Sequence, residues 1–507
     1  MRKIFITCLA SLFILSCAKD ELPSDSVKSL TTKHLDGKND NYEIKKQFAL
    51  ALHKAFVDYP ELRKFIKDEA LKKFDLDYDV LYNFVKDKPV GNTTFRNILL
   101  EYFEDEKDLL NIEELIPTLT IYVPKLPKNS FSAESWNVNS EVPFVAIRLL
   151  HTDKTPIISS TEKSYLLPGN AIPGFPVVLI KECERIVTSD LPSFGRIKTR
   201  HYTAGRFDFV FSDIIFDNIN PVTWNNPYED NVDELVNAWN VNGQEQNLGW
   251  QRDHVYYGIN PTNPNGPFIN NYQEQIVNFR IAGTGLEAYD NIVDPSSVDS
   301  EFNDPSLYWY IITDKGVPSA ARFWRDGEFD FKVILDHGAK SGSNVLTKPF
   351  TVSPENLFDL EFDTQSVGPW PCYVLTDIIP KDYQPDVELA TWRLEDFSNQ
   401  WLLHIYEVDL EVENQETVTS NVKYNSNFEI EASAEVLAKI GMKYGSSVEE
   451  NQSKSLIRKW MEQSNDLGEY LIHFGDNVII QENNEDYIYR EYNLGKCIIT
   501  TRPVKVQ

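Results

Sequence analysis

Carboxylates at alternate positions are the first sequence feature that could do chemistry. Asp75, Asp77 and Asp79 are spaced as in the first half of a calcium-binding loop, but the glycine and closing glutamate of such a loop do not follow. A second acidic segment, Asp-Gly-Glu-Phe-Asp, runs from Asp326 to Asp330. Both segments are calcium candidates. The simpler interpretation is favoured, namely a solvated turn between helices for the first and a turn that leads into a strand for the second.

Motifs of the common hydrolases and metal enzymes are absent from the sequence. It contains no His-Glu-x-x-His, no Gly-x-Ser-x-Gly and no phosphate-binding loop, and its 8 histidines include no pair four residues apart. The cysteine and histidine spacing of zinc sites is also absent. We therefore predict no catalytic residue, no cofactor and no metal beyond the two calcium candidates. An enzyme without a recognisable motif stays an alternative, because sites are assembled from residues distant in sequence.

Aromatic side chains are a second kind of candidate, because aromatic faces on a β-scaffold bind sugars and protein partners. Tyr308, Trp309 and Trp324 are the candidates for such a binding face. Alternating aromatic residues in a strand more often pack into a core on one side, and this is the stronger interpretation.

The N-terminus has the pattern of a targeting signal. Arg2 and Lys3 precede an apolar run, residues 4–15, that is too short to span a bilayer, and Cys17 follows a small residue at its end. The ending Ile-Leu-Ser-Cys resembles a bacterial lipobox, which implies that the preceding peptide is removed and that Cys17 carries lipid. The alternative is an ordinary secretory signal with an incidental cysteine. We expect the protein to contact the membrane through this anchor.

Composition and charge narrow the fold class and the partners. The chain has 507 residues, of which 42% are hydrophobic and 12% aromatic, with 3 Met against 24 Tyr and 29 Phe, and this composition is typical of packed β-structure. A formal net charge of −28 repels phosphate backbones, so no nucleic-acid partner is expected. The cysteines beyond the signal region are predicted to be buried free thiols, and they are Cys183, Cys372 and Cys497.

Changes in residue pattern predict a mainly β fold, with a small N-terminal helical domain followed by antiparallel β-sandwich-like domains with long loops. The predicted regions are a lipoprotein signal peptide (1–17), a flexible spacer (18–41), a helical domain (42–116), a β region (117–196), a loop-rich mixed region (197–300), a β-sandwich (301–415) and a C-terminal β region with one or more long amphipathic strands (416–507). Individual strands are predicted, among others, at 254–258, 276–283, 328–335, 373–378, 389–394 and 401–411.

Residues 422–444 alternate between apolar and polar positions with a period of two. The segment resembles the amphipathic insertion strands of aerolysin-like pore-forming proteins, which implies two membrane strands joined by a turn. The polar face carries charges such as Glu429, Glu431 and Lys439, whereas insertion strands are typically rich in Ser and Thr. We therefore predict a static segment packed on a sandwich core.

Five segments, FDLDYDVLYNFVKD, TFRNILL, IPTLTIYVP, WQRDHVYYGI and VELATWRLEDF, resemble those of uncharacterised lipoproteins of the Bacteroidota. The charged residues 18–21 resemble the export signal that follows the lipid cysteine in surface lipoproteins of that group. The resemblance implies a lipid-anchored protein of the outer membrane at the cell surface, with a periplasm-facing position as the alternative. It implies no activity.

Three function classes follow from these observations. The leading prediction is a lipid-anchored cell-envelope protein that acts as a non-enzymatic binding or structural module, with a glycan or protein ligand. An enzyme of the hydrolase type without a recognisable motif is the first alternative. A pore-forming protein that uses residues 422–444 is the second.

Overall fold

The computed structural model describes most of the chain outside its N-terminus. The described residues are 41–149, 154–159, 164–189, 202–204, 207–211, 214–217, 233–241, 251–258, 267–292, 323–337, 345–393, 396–397, 400–408, 413–420, 454–461, 465–473, 475–483 and 486–506. The predicted lipid site Cys17, the binding candidates Tyr308 and Trp309, and the alternating segment 422–444 lie outside these residues.

Five of the helices lie between residues 42 and 115, where the sequence predicts a helical domain. The helices are α1 (Tyr42–Asp58), α2 (Pro60–Ala70), α3 (Tyr82–Val85), α4 (Phe95–Leu100), α5 (Glu106–Leu115), α6 (Ile214–Asp217), α7 (Asp233–Val241), α8 (Gln251–Tyr257), α9 (Leu286–Asp290), α10 (Phe323–Asp326) and α11 (Pro354–Leu357). None of the helices in the described ranges combines the length and the apolar character that crossing a membrane requires.

Strands make up most of the regular structure, so the mainly β fold class is confirmed. The first strands are β1 (Asp79–Leu81), β2 (Pro89–Val90), β3 (Thr93–Thr94), β4 (Leu119–Tyr122), β5 (Phe144–Ile147), β6 (Thr155–Ile158), β7 (Ser164–Leu167), β8 (Ile172–Pro173), β9 (Val177–Glu182), β10 (Ile186–Ser189), β11 (Tyr202–Ala204), β12 (Phe207–Phe211) and β13 (Tyr272–Ile281). The later strands are β14 (Phe329–Asp336), β15 (Val345–Val352), β16 (Phe358–Val367), β17 (Trp370–Pro380), β18 (Val387–Glu388), β19 (Gln400–Glu407), β20 (Glu413–Ser420), β21 (Lys454–Met461), β22 (Asn465–His473), β23 (Ile479–Asn483), β24 (Asp486–Tyr489), β25 (Tyr492–Asn493) and β26 (Cys497–Lys505).

A six-stranded sheet in the order β1-β4-β9-β5-β6-β7 joins the helical region to the first β region. Its pairs are antiparallel except for β5 and β9, which run parallel. Strand β1 comes from the helical region and pairs with β4, so that Asp79 lies opposite Tyr122. This pairing brings the acidic loop before β1 to one edge of the sheet.

Further antiparallel sheets carry the rest of the chain. Two of them have four strands, in the orders β15-β14-β19-β22 and β18-β13-β26-β25, and a third has the order β16-β17-β8. Most buried apolar side chains from the helices and from these sheets form a large continuous core, which extends along the chain from Tyr42 to Ile499. A smaller core beside it includes Leu76, Cys183 and Phe209. Because the core is continuous, side chains far apart in sequence are brought within contact distance.

The structure confirms several predicted strands and corrects two. The predictions at 276–283, 328–335, 373–378 and 401–411 correspond to β13, β14, β17 and β19. The prediction at 254–258 is wrong, because these residues belong mainly to helix α8. The prediction at 389–394 is also wrong, since residues 389–393 are not in a strand: Leu389 and Ala390 exchange backbone hydrogen bonds with Glu274 of β13, and Trp392 stacks on Trp401 at a centroid distance of 4.1 Å. The prediction of buried free thiols is confirmed for Cys183, Cys372 and Cys497.

Candidate functional site

The two acidic segments of the sequence meet in the structure. Oδ2 of Asp77 accepts a hydrogen bond from the backbone N–H of Glu328 at 3.2 Å. Gly327 allows this approach, because its φ is +85° and a Cβ there would lie 1.7 Å from the same carboxylate oxygen. Residues separated by about 250 positions therefore form one site.

Two cationic side chains of this site come from the segment that runs from the end of β9 to the start of β10. Lys181, Cys183 and Arg185 stand at alternate positions and are all buried. All three side chains contact the acidic segment, Lys181 at Asp79, Cys183 at Asp75 and Arg185 at Asp77. We call the following residues the buried ionic cluster: Lys73, Asp75, Asp77, Asp79, Lys181, Cys183, Glu184, Arg185, Glu328 and Asp330.

Arg185 binds one carboxylate with the two-pronged geometry typical of a guanidinium. Its Nε donates to Oδ2 of Asp330 at 2.8 Å, and its Nη2 donates to Oδ1 of the same residue at 3.1 Å. Nη2 also donates to the backbone oxygen of Glu328 at 3.0 Å, and Nη1 to that of Asp75 at 3.4 Å. Nη1 lies 3.5 Å from Oδ2 of Asp77. Arg185 thus connects the acidic loop to strand β14.

Lys181 is shared between two carboxylates. Its Nζ donates to Oε1 of Glu184 at 2.6 Å and lies 3.1 Å from Oδ2 of Asp79. The contact with Asp79 has the distance of an ion pair but lacks the angle of a hydrogen bond, and among the described residues neither oxygen of Asp79 has a hydrogen-bond partner. Asp79 is 0% exposed, so Oδ1 is a buried acceptor without a donor.

Asp75 and Cys183 are in direct contact. Sγ of Cys183 donates to Oδ2 of Asp75 at 3.2 Å, and Oδ1 of Asp75 accepts from the backbone N–H of Asp77 at 3.3 Å. One ligand atom from each of Asp75, Asp79 and Cys183 can be chosen so that all three atoms lie within 4.8 Å of one another. The structure therefore brings together two of the three predicted calcium-loop aspartates, with a thiol in place of the third.

Burial shifts the ionisation of the acids in this cluster. Removal from water raises the pKa of Asp75 to about 6, although Arg185 opposes the shift. Burial likewise raises the pKa of Asp79 well above its ordinary range, against the opposing effect of Lys181. Burial and the nearby charge of Asp75 raise the pKa of the Cys183 thiol. The negative forms of these groups are therefore poorly compensated.

The carboxylates outnumber the cations in this cluster. Six acidic side chains surround only Lys73, Lys181 and Arg185. Because the acidic loop is buried, water does not compensate for the excess of negative charge. The buried part of the cluster can bind a cation or hold a proton.

An open groove of about 550 Å³ is the second candidate site. It is lined by residues 280–285, which comprise the end of β13 and the turn after it, by residues 377–380 of β17, and by Ile498. The φ angles of Gly283 and Gly285 are +101° and +51°, so glycine allows the turn that shapes one wall.

Two acidic residues lie directly opposite each other on the strands beside the groove, and one of them, Asp377, lines the groove. Glu361 of β16 pairs in register with Asp377 of β17, and both are exposed. Within the described part of the chain, no cation lies within ion-pair distance of either carboxylate. Like charges in this position are destabilising.

No protein-family model, curated protein or solved structure matches this chain. The buried ionic cluster and the groove beside β17 are therefore interpreted from their own geometry. The aspartates and the thiol of the cluster are buried and the groove is open, so the two sites can serve different roles.

The outcome for the acidic candidates is mixed. The expectation of a solvated turn is wrong, because Asp75, Asp77 and Asp79 are 0%, 1% and 0% exposed. Both oxygens of Asp77 already accept backbone hydrogen bonds, from Tyr78 at 2.8 Å and from Glu328 at 3.2 Å. Calcium binding stays a prediction. Asp326 lies at the end of α10, and the described contacts do not include its side chain.

The outcome for the aromatic candidates is simpler. Trp324 is buried, with 2% exposure, and contributes to the core as the simpler interpretation expects. Lys181, Cys183 and Arg185 match no motif that would group them from the sequence alone. The signal that could have found them is the alternation of two cations and a thiol immediately after an apolar strand.

Proposed function

We propose that the protein is a lipid-anchored cell-envelope protein that binds a partner rather than catalysing a reaction. The N-terminal sequence that ends in Cys17 supports the anchor. The aspartates of the buried ionic cluster are buried, which supports a structural role for it. The open groove beside β17 is lined by aliphatic residues together with a few polar ones, Arg280, Thr284 and Asp377, and this combination is typical of binding sites.

The groove favours an extended polypeptide segment as the ligand. In the described residues, β17 pairs with β16 along its length but with β8 only at Cys372 and Tyr373. The rest of that edge offers backbone groups to which a further strand can be added. Ile379, which is 48% exposed, provides an apolar contact on the same strand.

The acidic pair beside the groove favours a basic side chain in that ligand. A lysine or arginine placed between Glu361 and Asp377 would relieve their repulsion, and the net charge of −28 attracts cationic partners. The combination of an open strand edge with this uncompensated acidic pair is the observation that carries the proposal. A glycan ligand would not require either feature.

The binding test uses the mature lipidated protein in detergent and two fluorescent decapeptides. One peptide alternates lysine and threonine, and the other alternates glutamate and threonine. We expect binding of the first peptide only, with a several-fold loss of affinity in the double variant Glu361→Gln/Asp377→Asn. Asp363→Asn is the matched control, because Asp363 is exposed on the same strand but lies opposite Val374. Fluorescence anisotropy measures each affinity.

Equal binding of both peptides, or an unchanged affinity in the double variant, would overturn this ligand class. The anchor is tested separately by fractionation of cells that express Cys17→Ser. We expect that variant to lose membrane association, while the wild type incorporates a fatty-acid analogue. A wild type that takes up no label and stays soluble contradicts the anchor. Protease added to whole cells then distinguishes a surface position from a periplasmic one.

A further inference from the structure

We propose that Asp75, Asp79 and Cys183 bind a divalent cation of the zinc class. This site is independent of the proposed ligand groove. Its three ligand atoms lie within 4.8 Å of one another, and all three residues are buried. Asp75 precedes β1 and Asp79 is its first residue, whereas Cys183 directly follows β9. A bound ion would therefore connect these two parts of the chain.

The strongest support is the buried acceptor on Asp79. Among the described residues, Oδ1 has no hydrogen-bond partner, and the residue is 0% exposed. Buried polar groups in native proteins are almost always paired, so an orphaned carboxylate oxygen indicates a missing partner. Oδ2 can keep its contact with Lys181 at 3.1 Å while Oδ1 binds the ion.

The types of ligand favour zinc over calcium. Calcium takes six to eight oxygen ligands, whereas this site combines two carboxylates with a sulfur. Asp77, the third oxygen donor of the loop, is already bound to two backbone N–H groups. Thiolate and carboxylate ligands together suit zinc or a similar borderline metal.

The distances require little movement. Zinc binds sulfur at about 2.3 Å and carboxylate oxygen at about 2.0–2.2 Å, so ligand atoms in a tetrahedral site lie roughly 3.3–3.8 Å apart. Sγ of Cys183 and Oδ2 of Asp75 are already 3.2 Å apart. The remaining separations, at most 4.8 Å, would close by about 1 Å. A fourth ligand position is left for a water or another cluster oxygen.

Binding of the ion is balanced by the loss of one proton. The Cys183 thiol gives up its proton, the S–H bond is replaced by a metal–sulfur bond, and the proton leaves to solvent. The two positive charges of the ion replace that proton in a cluster where six acidic side chains surround three cations. Cation binding therefore reduces the excess of negative charge.

The experiment uses the full mature protein after treatment with a chelator, followed by titration with Zn²⁺ or Co²⁺. We expect one equivalent of tightly bound metal, a thiolate-to-cobalt charge-transfer band, and an increase of several degrees in the unfolding temperature with Zn²⁺. Cys183→Ser should abolish the band, and Asp79→Asn should weaken binding at least tenfold. Cys372→Ser is the matched control, because Cys372 is also buried but lies outside the cluster.

Two results would overturn the proposal. One is a wild type that shows neither a charge-transfer band nor thermal stabilisation. The other is a Cys183→Ser variant that folds and binds metal as the wild type does. If Cys183→Ser does not fold, the cobalt spectrum of the double variant Cys372→Ser/Cys497→Ser still decides, because Cys183 is then the remaining free thiol among the described residues.

Discussion

Arg252 and Arg185 are both buried, and each binds a carboxylate with two hydrogen bonds, but their surroundings differ in charge balance. Nε and Nη2 of Arg252 donate to the two oxygens of Glu274 at 2.9 and 3.0 Å. Its Nη1 donates to the backbone oxygen of Asp476 at 3.1 Å, and Nη2 also reaches Thr501 Oγ1 at 3.2 Å. One cation therefore meets one carboxylate, and the other donors find neutral acceptors.

Arg185 has an equally good partner in Asp330, but three further aspartates lie beside this pair. Taking charges out of water is costly, and the cost is offset only where each charge has a partner. The Arg252–Glu274 pair meets this condition and stabilises the fold. The buried ionic cluster does not meet it, so its excess charge requires a proton or a cation. Burial of charged groups alone therefore does not distinguish a stabilising ion pair from a binding site.

The largest expected effect comes from breaking the balanced pair. Arg252→Met leaves Glu274, which is 1% exposed, as an uncompensated buried charge. We expect the free energy of unfolding at pH 7 to fall by about 3–5 kcal/mol. Urea denaturation measures this value. The double variant Arg252→Met/Glu274→Leu should recover most of the loss. A fall of less than about 1 kcal/mol in the free energy of unfolding of the single variant would contradict the stabilising role of the pair.

A comparable change in the unbalanced cluster should have the opposite sign. In metal-free protein at pH 8, Asp79→Asn replaces a carboxyl group whose ionisation is disfavoured by burial, and Lys181 keeps Glu184 as its partner at 2.6 Å. We expect the free energy of unfolding to rise by about 1–3 kcal/mol, whereas Glu274→Gln should lower it. Urea denaturation with a chelator present compares the two variants. Destabilisation of similar size in both would remove the distinction between the two regions.

The smallest expected effect is a pH dependence that comes from Asp75. Its pKa is raised from 3.8 to about 6 by burial, so the folded state holds a proton that the unfolded chain releases near pH 4. The resulting stability is present at acidic pH and is lost as the pH rises through 6. We expect Asp75 to account for a loss of about 1 kcal/mol between pH 5 and pH 7 in metal-free protein. Urea denaturation should show this loss reduced in Asp75→Asn, and parallel profiles would contradict it.

Local sequence pattern predicts strands in which apolar and polar residues alternate. In the first part of β14, Phe329, Phe331 and Val333 alternate with Asp330 and Lys332, although the polar residues are buried as well. The segment 254–258 was predicted as a strand because a short apolar run does not distinguish a strand from a buried helix. Its helix α8 is held by distant contacts, such as Gln251 with the backbone of Val478 and Ile479 at 2.9 and 2.7 Å. No local pattern encodes such contacts.

The candidate site was predicted only in part for the same reason. The aspartates of the loop were recognised from their spacing, but their burial depends on Arg185 and Asp330, which are more than 100 residues away. Without those partners in view, a solvated turn was the reasonable expectation for an acidic triplet. The thiol of Cys183 was correctly expected to be buried, but its contact with Asp75 follows from the tertiary fold alone.

Zinc K-edge X-ray absorption of the loaded wild-type protein tests the cation site most directly. The structure predicts one sulfur neighbour at about 2.3 Å and oxygen neighbours at about 2.0–2.2 Å. The sulfur neighbour should disappear in Cys183→Ser and persist in Cys372→Ser, since both thiols are buried but only the first lies beside Asp75 and Asp79. A spectrum of the wild type with only oxygen and nitrogen neighbours would contradict zinc binding by the buried ionic cluster.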